Sequence, residues 1–169
     1  MKDFDYSLNF KEINFRRNPE LYQIGRGEQG VLLIEPYKSE ILPHWKFKTP
    51  DIAKQSAEKI YSLFLEYKAS HDFVGMDMAR KFLQMGYTRA RRYANHKTGR
   101  KYVRGTKIIL PCEKDLIKAK SAEIFYEKWI LAKSDLEYQK FADLHQKKYE
   151  HMSKNLEGNQ NIKNAPFSD

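Results

Sequence analysis

Apolar residues recur at intervals of three and four through the second quarter of the chain: Ile52, Ala53, Ala57, Ile60, Tyr61 and Phe64. That spacing lines one face of a helix. Thr49-Pro50-Asp51 opens it with a capping side chain, a proline in the first turn and an acid near the positive end of the dipole. The helix is predicted to run to Lys68. Asp72 caps a second predicted helix, which carries Phe73, Met76, Ala79, Phe82 and Leu83 and stops at Gly86. Thr88 opens a short third helix over 88–94, with Ala90 and Tyr93 or Ala94 toward the core. Asn95 to Gly99 has turn chemistry. From Glu113 to Leu156 there is neither glycine nor proline. Ser134-Asp-Leu-Glu137 is a capping-box pattern inside that run, so two helices are predicted there. Phe125, Trp129, Leu136, Phe141 and Leu144 form their apolar side.

The N-terminal third has a different rhythm. Phe4, Tyr6, Leu8 and Phe10 alternate with polar residues, the pattern of an edge strand or a docked arm. Residues 21–34 read as strand, glycine turn, strand, with Val31-Leu32-Leu33-Ile34 as the buried member. Pro36 and Pro43 bracket a short irregular piece, and Lys107 to Pro111 reads as a strand or extended connector. The predicted fold class is therefore α+β: a small N-terminal β-hairpin or sheet packed against four to five helices, with a helical C-terminal half. A length of 169 residues, 41% of them hydrophobic, predicts one folded domain. It is placed over 1–155, followed by a polar, flexible tail over 156–169.

Gly25, Gly27 and Gly30 spell G-x-G-x-x-G within YQIGRGEQGVLLIEP. A dinucleotide fingerprint needs the last glycine to open a helix, and here apolar, β-rich residues follow. A kinase needs H-R-D and D-F-G elements as well, and neither occurs. The Walker pattern is also missing. Two readings remain. The glycines supply positive φ to a hairpin, or that hairpin also offers backbone N–H groups and Arg26 to an anion.

Charge changes the picture more than any motif. The formal net charge is +9, and Met78 to Cys112 holds no Asp or Glu. That segment contains ten cations: Arg80, Lys81, Arg89, Arg91, Arg92, Lys97, Arg100, Lys101, Arg104 and Lys107. The rest of the chain has 21 basic and 22 acidic residues, so the whole excess sits in 35 positions. A one-sign block points to a polyanionic partner. Arg and Lys neutralise phosphate, and Tyr87, Tyr93 and Tyr102 are candidates to stack on bases. Arg26, Lys46 and Lys48 extend the predicted patch. The leading expectation is a non-enzymatic protein that binds DNA or RNA through the phosphate backbone. An interaction protein docking on an acidic partner is the alternative. So is an enzyme acting on a phosphorylated small molecule gripped by Arg26, Arg89 and Arg92.

Other chemistry is sparse. His44, His71, His96, His145 and His151 lack metal-ligand spacing, and the lone Cys112 reads as a bystander thiol. Glu35, Glu40, Asp72 and Asp77 are carboxylates that a fold can bring together. No cofactor and no metal are expected. One cysteine fits a reducing compartment, and the longest apolar run is too short to span a bilayer, so a cytoplasmic protein without membrane contact is predicted.

The blocks NPELYQIGRGEQGVLLIEPYKSEILPHWKFKTP and GMDMARKFLQMGYTRARRYANHKTGRKY carry a resemblance. They are similar to an uncharacterised domain-of-unknown-function family of small proteins of bacteria and tailed bacteriophages, cyanophages among them. The resemblance spans roughly Asn14 to Arg104 and implies no activity, fold or site residues.

Overall fold

The computed structural model describes residues 4–150. The tail expected over 156–169, and His151, lie outside the described residues. Five α-helices carry the fold: α1 (Tyr37–Ile41), α2 (Pro50–Ala69), α3 (Phe73–Asn95), α4 (Leu116–Ser134) and α5 (Leu136–His145). Short 3₁₀ turns occupy Pro19–Leu21 and Leu42–His44, and a π turn, Gln146–Glu150, follows α5. The three long helices pack on one another, and α5 closes one end.

The architecture is all-α, which overturns the α+β expectation. No strand forms among the described residues, and the one bridge is an isolated antiparallel pair between Tyr102 and Ile109. Residues 25–34 are a chain of tight turns: Gln29 N–H donates to Arg26, Val31 to Glu28 and Leu33 to Gly30, at 2.9–3.1 Å. Within the VLLI run Val31 and Ile34 are buried while Leu32 is 45% exposed. A strand would bury alternate residues, whereas burial three apart follows the turn period. Gly27 and Gly30 hold φ of +58° and +78°. The arm before them is docked but not extended. Phe4, Phe10, Phe15 and Tyr22 form a ladder of rings with centroids 5.9–6.3 Å apart. The extended connector over 107–111 is part of an exposed excursion, and the Pro36–Pro43 piece is mostly helix α1.

Helix starts follow the capping residues. Thr49 Oγ1 accepts from Ile52 N–H at 3.3 Å, and Asp72 Oδ1 accepts from Gly75 N–H at 3.1 Å. Ala53, Ser56, Ala57, Ile60, Phe64 and Tyr67 form the buried face of α2. The break after α4 lies where expected, but Asp135 is the cap, accepting from Glu137 and Tyr138 N–H at 3.0 and 2.9 Å. Lys68 clamps it from α2 at 2.6 Å. Helix α3 does not stop at Gly86, and no separate helix over 88–94 exists. Burial all round from Phe73 to Leu83 makes its first half the central rod of the core. Gly86 continues it because a Cβ there would stand 2.2 Å from the Phe125 ring of α4. The missing side chain is what lets the two helices close. Beyond Gly86 only Ala90 and Ala94 are buried on α3, and the helix becomes one-sided.

Candidate nucleic-acid interface

The ten predicted cations divide into two sets. Arg80 and Lys81 are buried on the first half of α3, one turn after the fully buried Asp77. Arg80 pairs with Asp77 at 2.8 Å, and Lys81 Nζ lies 3.6 Å from the same carboxylate. Tyr138 of α5 donates to Asp77 at 2.7 Å, and the Tyr22 hydroxyl donates to its other oxygen. Burial pushes the Asp77 carboxyl up, but the Arg80 and Lys81 charges and the two phenols outweigh it and hold Asp77 well below the usual carboxylate range. Burial pulls the Lys81 ammonium below its ordinary value, and Asp77 offsets only part of that.

This cluster also explains the glycine loop. Lys81 donates to the Gln29 carbonyl at 2.8 Å and Arg80 to the Gly27 carbonyl at 3.4 Å. Carbonyl oxygens of the loop therefore face the buried cations. The Arg26 N–H is taken by the Gln29 side chain at 2.8 Å. Gly30 is needed for a close approach, since a Cβ there would stand 2.4 Å from Phe4. Gly25 is similarly crowded, with Gln29 at 2.8 Å. The loop is an anchor laid across α3, and only the Arg26 side chain is exposed.

The other eight cations, Arg89, Arg91, Arg92, Lys97, Arg100, Lys101, Arg104 and Lys107, are all exposed. None forms an ion pair among the described residues. The first three sit at the C-terminal end of α3, where positive charge complements the dipole. The rest belong to the excursion over 96–115, which leaves α3 and returns to open α4. Its base is tied down by Glu113 N–H to Asn95 at 3.0 Å and Asp115 N–H to Ala94 at 2.8 Å. Its tip is a turn in which Val103 and Ile108 share a 2.9 Å backbone bond and Gly105 holds φ +76°.

The three tyrosines also separate. Tyr87 stacks on Trp129 of α4 with centroids 5.7 Å apart, and so is spent on packing. Tyr93 and Tyr102 are 39% and 45% exposed. Tyr93 borders a groove of about 590 Å³ with Phe47, Ile52, Ala90 and the lysines Lys46, Lys48 and Lys118. The 44–48 segment is fixed to α2 by Ser56, whose hydroxyl donates to the His44 carbonyl at 2.6 Å and accepts from Lys46 N–H at 3.0 Å. Lys46 and Lys48 belong to the patch predicted from the sequence, and Phe47 and Lys118 do not. Only the fold brings those four together.

A larger cleft, about 850 Å³, opens beside Arg16, Tyr67, His71, Asp72 and Lys148. Arg16, Glu40 and Asp72 satisfy one another there. Arg16 grips Glu40 with a fork of 2.7 and 2.8 Å and reaches Asp72 at 3.3 Å. Tyr37 donates to Asp72 at 2.6 Å and Tyr67 to Glu40 at 2.6 Å. Of the four carboxylates considered, Glu40 and Asp72 thus meet on Arg16, Glu35 pairs with Lys38 at 2.8 Å, and Asp77 stands apart. No metal-binding group of His, Cys or carboxylates forms among the described residues. Cys112 is free and exposed. No helix of the described residues is long and apolar enough to cross a membrane.

No curated protein and no solved structure matches the chain. The expectation of DNA binding in particular gains no support from these comparisons. One family model does match, over residues 5–148, and it extends the resemblance beyond Arg104 through α4 and α5. The chain belongs to that family, described as a domain of unknown function, DUF4385.

Proposed function

We propose that this protein is a non-enzymatic nucleic-acid-binding module that grips the phosphate backbone with the basic surface over 89–107. The observation that carries the reading is the set of eight exposed cations without an ion pair among the described residues. An ordinary solvated surface intersperses charges of both signs. Here the acids that would neutralise the patch are missing from the segment itself, and none pairs with it from elsewhere among the described residues. Arg80 and Lys81 are left out, since the buried Asp77 cluster uses them. The reading prefers neither DNA nor RNA. It places the protein in the cytoplasm of bacteria or phage-infected cells, following the resemblance and the single exposed cysteine.

The test is a binding titration against salt. Neutralising four to six phosphates gives a log–log slope of about −0.9 per contact, so affinity falls by about two to three orders of magnitude between about 50 and 200 mM salt. Absence of binding at the lower concentration refutes the proposal. It would turn attention to docking on an acidic protein, a second reading favoured by Ile108 and Ile109, which are 65% and 61% exposed beside the cations. An enzyme on a phosphorylated small molecule has less support, because neither the groove nor the cleft gathers Arg26, Arg89 and Arg92.

A further inference from the structure

We infer that the groove between the 46–48 segment, α3 and α4 holds an unpaired nucleobase, so that the nucleic acid recognised is single-stranded. The inference rests on the phosphate-binding reading above and names the form of its ligand.

The groove joins two chemistries. Its floor is apolar and aromatic: Phe47 and Tyr93 approach at 5.9 Å with planes tilted by 40°, and Ile52 and Ala90 complete it. Its rim is cationic. Lys46 and Lys48 are exposed and form no ion pair among the described residues. Lys118 reaches Asp115 only at 4.0 Å and lies over the Tyr93 ring at 5.7 Å. A volume of about 590 Å³ accommodates a base with its sugar. An aromatic floor framed by ammonium groups matches a base flanked by two phosphates, in both shape and charge.

The groove is continuous with the basic surface. Arg89 stands one helical turn before Tyr93 on α3, so the two share a face. Gly99, with φ +70°, places its backbone where a Cβ would stand 2.5 Å from the Tyr93 ring. The glycine lets the excursion pack closely against that ring. A strand bound at Arg89 thus lies within one helical turn of the Tyr93 that borders the groove. In a duplex the bases are stacked and paired and their faces are unavailable, whereas a single strand offers them freely.

The test compares three probes on the unaltered protein: a homothymidine single strand, an abasic strand of the same length, and a duplex of that length. The base-bearing strand is expected to bind about tenfold tighter than the abasic one, the worth of one stacked base. Trp45 lies 5.0 Å from Phe47, so its emission should change with the base-bearing strand and not with the abasic one. Tyr93→Leu, which keeps an apolar side chain, should erase the gap. Phe47→Leu serves as the second variant should Tyr93→Leu unfold. Equal affinity for base-bearing and abasic strands overturns the inference and leaves backbone binding standing. A duplex that binds tighter than the single strand also overturns it. Failure of all three probes overturns the phosphate-binding reading itself, and this inference with it.

Discussion

Asp77 and Arg92 show how differently charged residues of one helix are used. Asp77 is buried between two cations and two phenols, and Arg92 is exposed with no ion pair among the described residues. Removing one member of a buried ionic group leaves the others uncompensated, at about 3–5 kcal/mol. Asp77→Asn is therefore expected to lose about that much unfolding free energy in urea titration. A loss under about 1 kcal/mol would mean that the phenols and loop carbonyls suffice. The pH dependence has a definite sign. The folded-state carboxyl lies below its usual value of 3.8, so its stabilisation is complete above that pH and is lost as pH falls through the folded value. The parent should lose stability in that acid range more steeply than Asp77→Asn does. The exposed pair behaves in the opposite way. Arg89→Ala with Arg92→Ala should leave the melting temperature unchanged and make the salt slope shallower by about 1.8, two phosphate contacts. A drop in melting temperature would reveal a structural role instead. This division was half legible in sequence. Asp77, Arg80 and Lys81 stand at i, i+3 and i+4 inside an apolar stretch, the spacing of an intrahelical cluster. Counting charge along the segment without its helical phase grouped the last two with the surface set.

At the scale of elements, the caps were legible and the glycines were not. Thr49, Asp72 and the 134–137 pattern marked real helix boundaries because a cap is a local interaction, written in three or four adjacent residues. Gly86 is set by a distant partner. It looks like a stop signal in the sequence, but the space it leaves is filled by Phe125, 39 positions later. Gly86→Ala would gain about 1 kcal/mol of helix propensity. The added Cβ would still stand 2.2 Å from the Phe125 ring. Overpacking should win, with a net loss of about 1–3 kcal/mol in chemical denaturation and unchanged nucleic-acid affinity per folded molecule. A variant as stable as the parent would show that α3 and α4 separate at little cost. The VLLI run misled for a similar reason. Its residues favour strands, but no partner strand exists among the described residues, and the turns bonded from Arg26 to Leu33 seat Val31 and Ile34 in the core instead.

At the scale of the whole molecule, the fold sorts charge. The core end of α3 consumes two cations, the N-terminal arm balances Arg16 against Glu40 and Asp72, and α5 is held by Lys68 on Asp135. Among the described residues, the far end of α3 and the excursion after it stay unbalanced, adjoining the Phe47–Tyr93 groove. The excess of charge was visible in the sequence because composition survives without a fold. Its division into buried and exposed sets, and the convergence of Phe47 and Lys118 on Tyr93, needed the tertiary structure. The central claim is that this surface contacts nucleic acid. Titrating isotope-labelled protein with a short single strand and following backbone amide shifts tests it most directly. The account predicts shifts concentrated over 89–107, at Lys46 to Lys48 and at Lys118, with Arg80 and Lys81 unmoved. Shifts centred on the Arg16 and Asp72 cleft, with 89–107 unchanged, would contradict it.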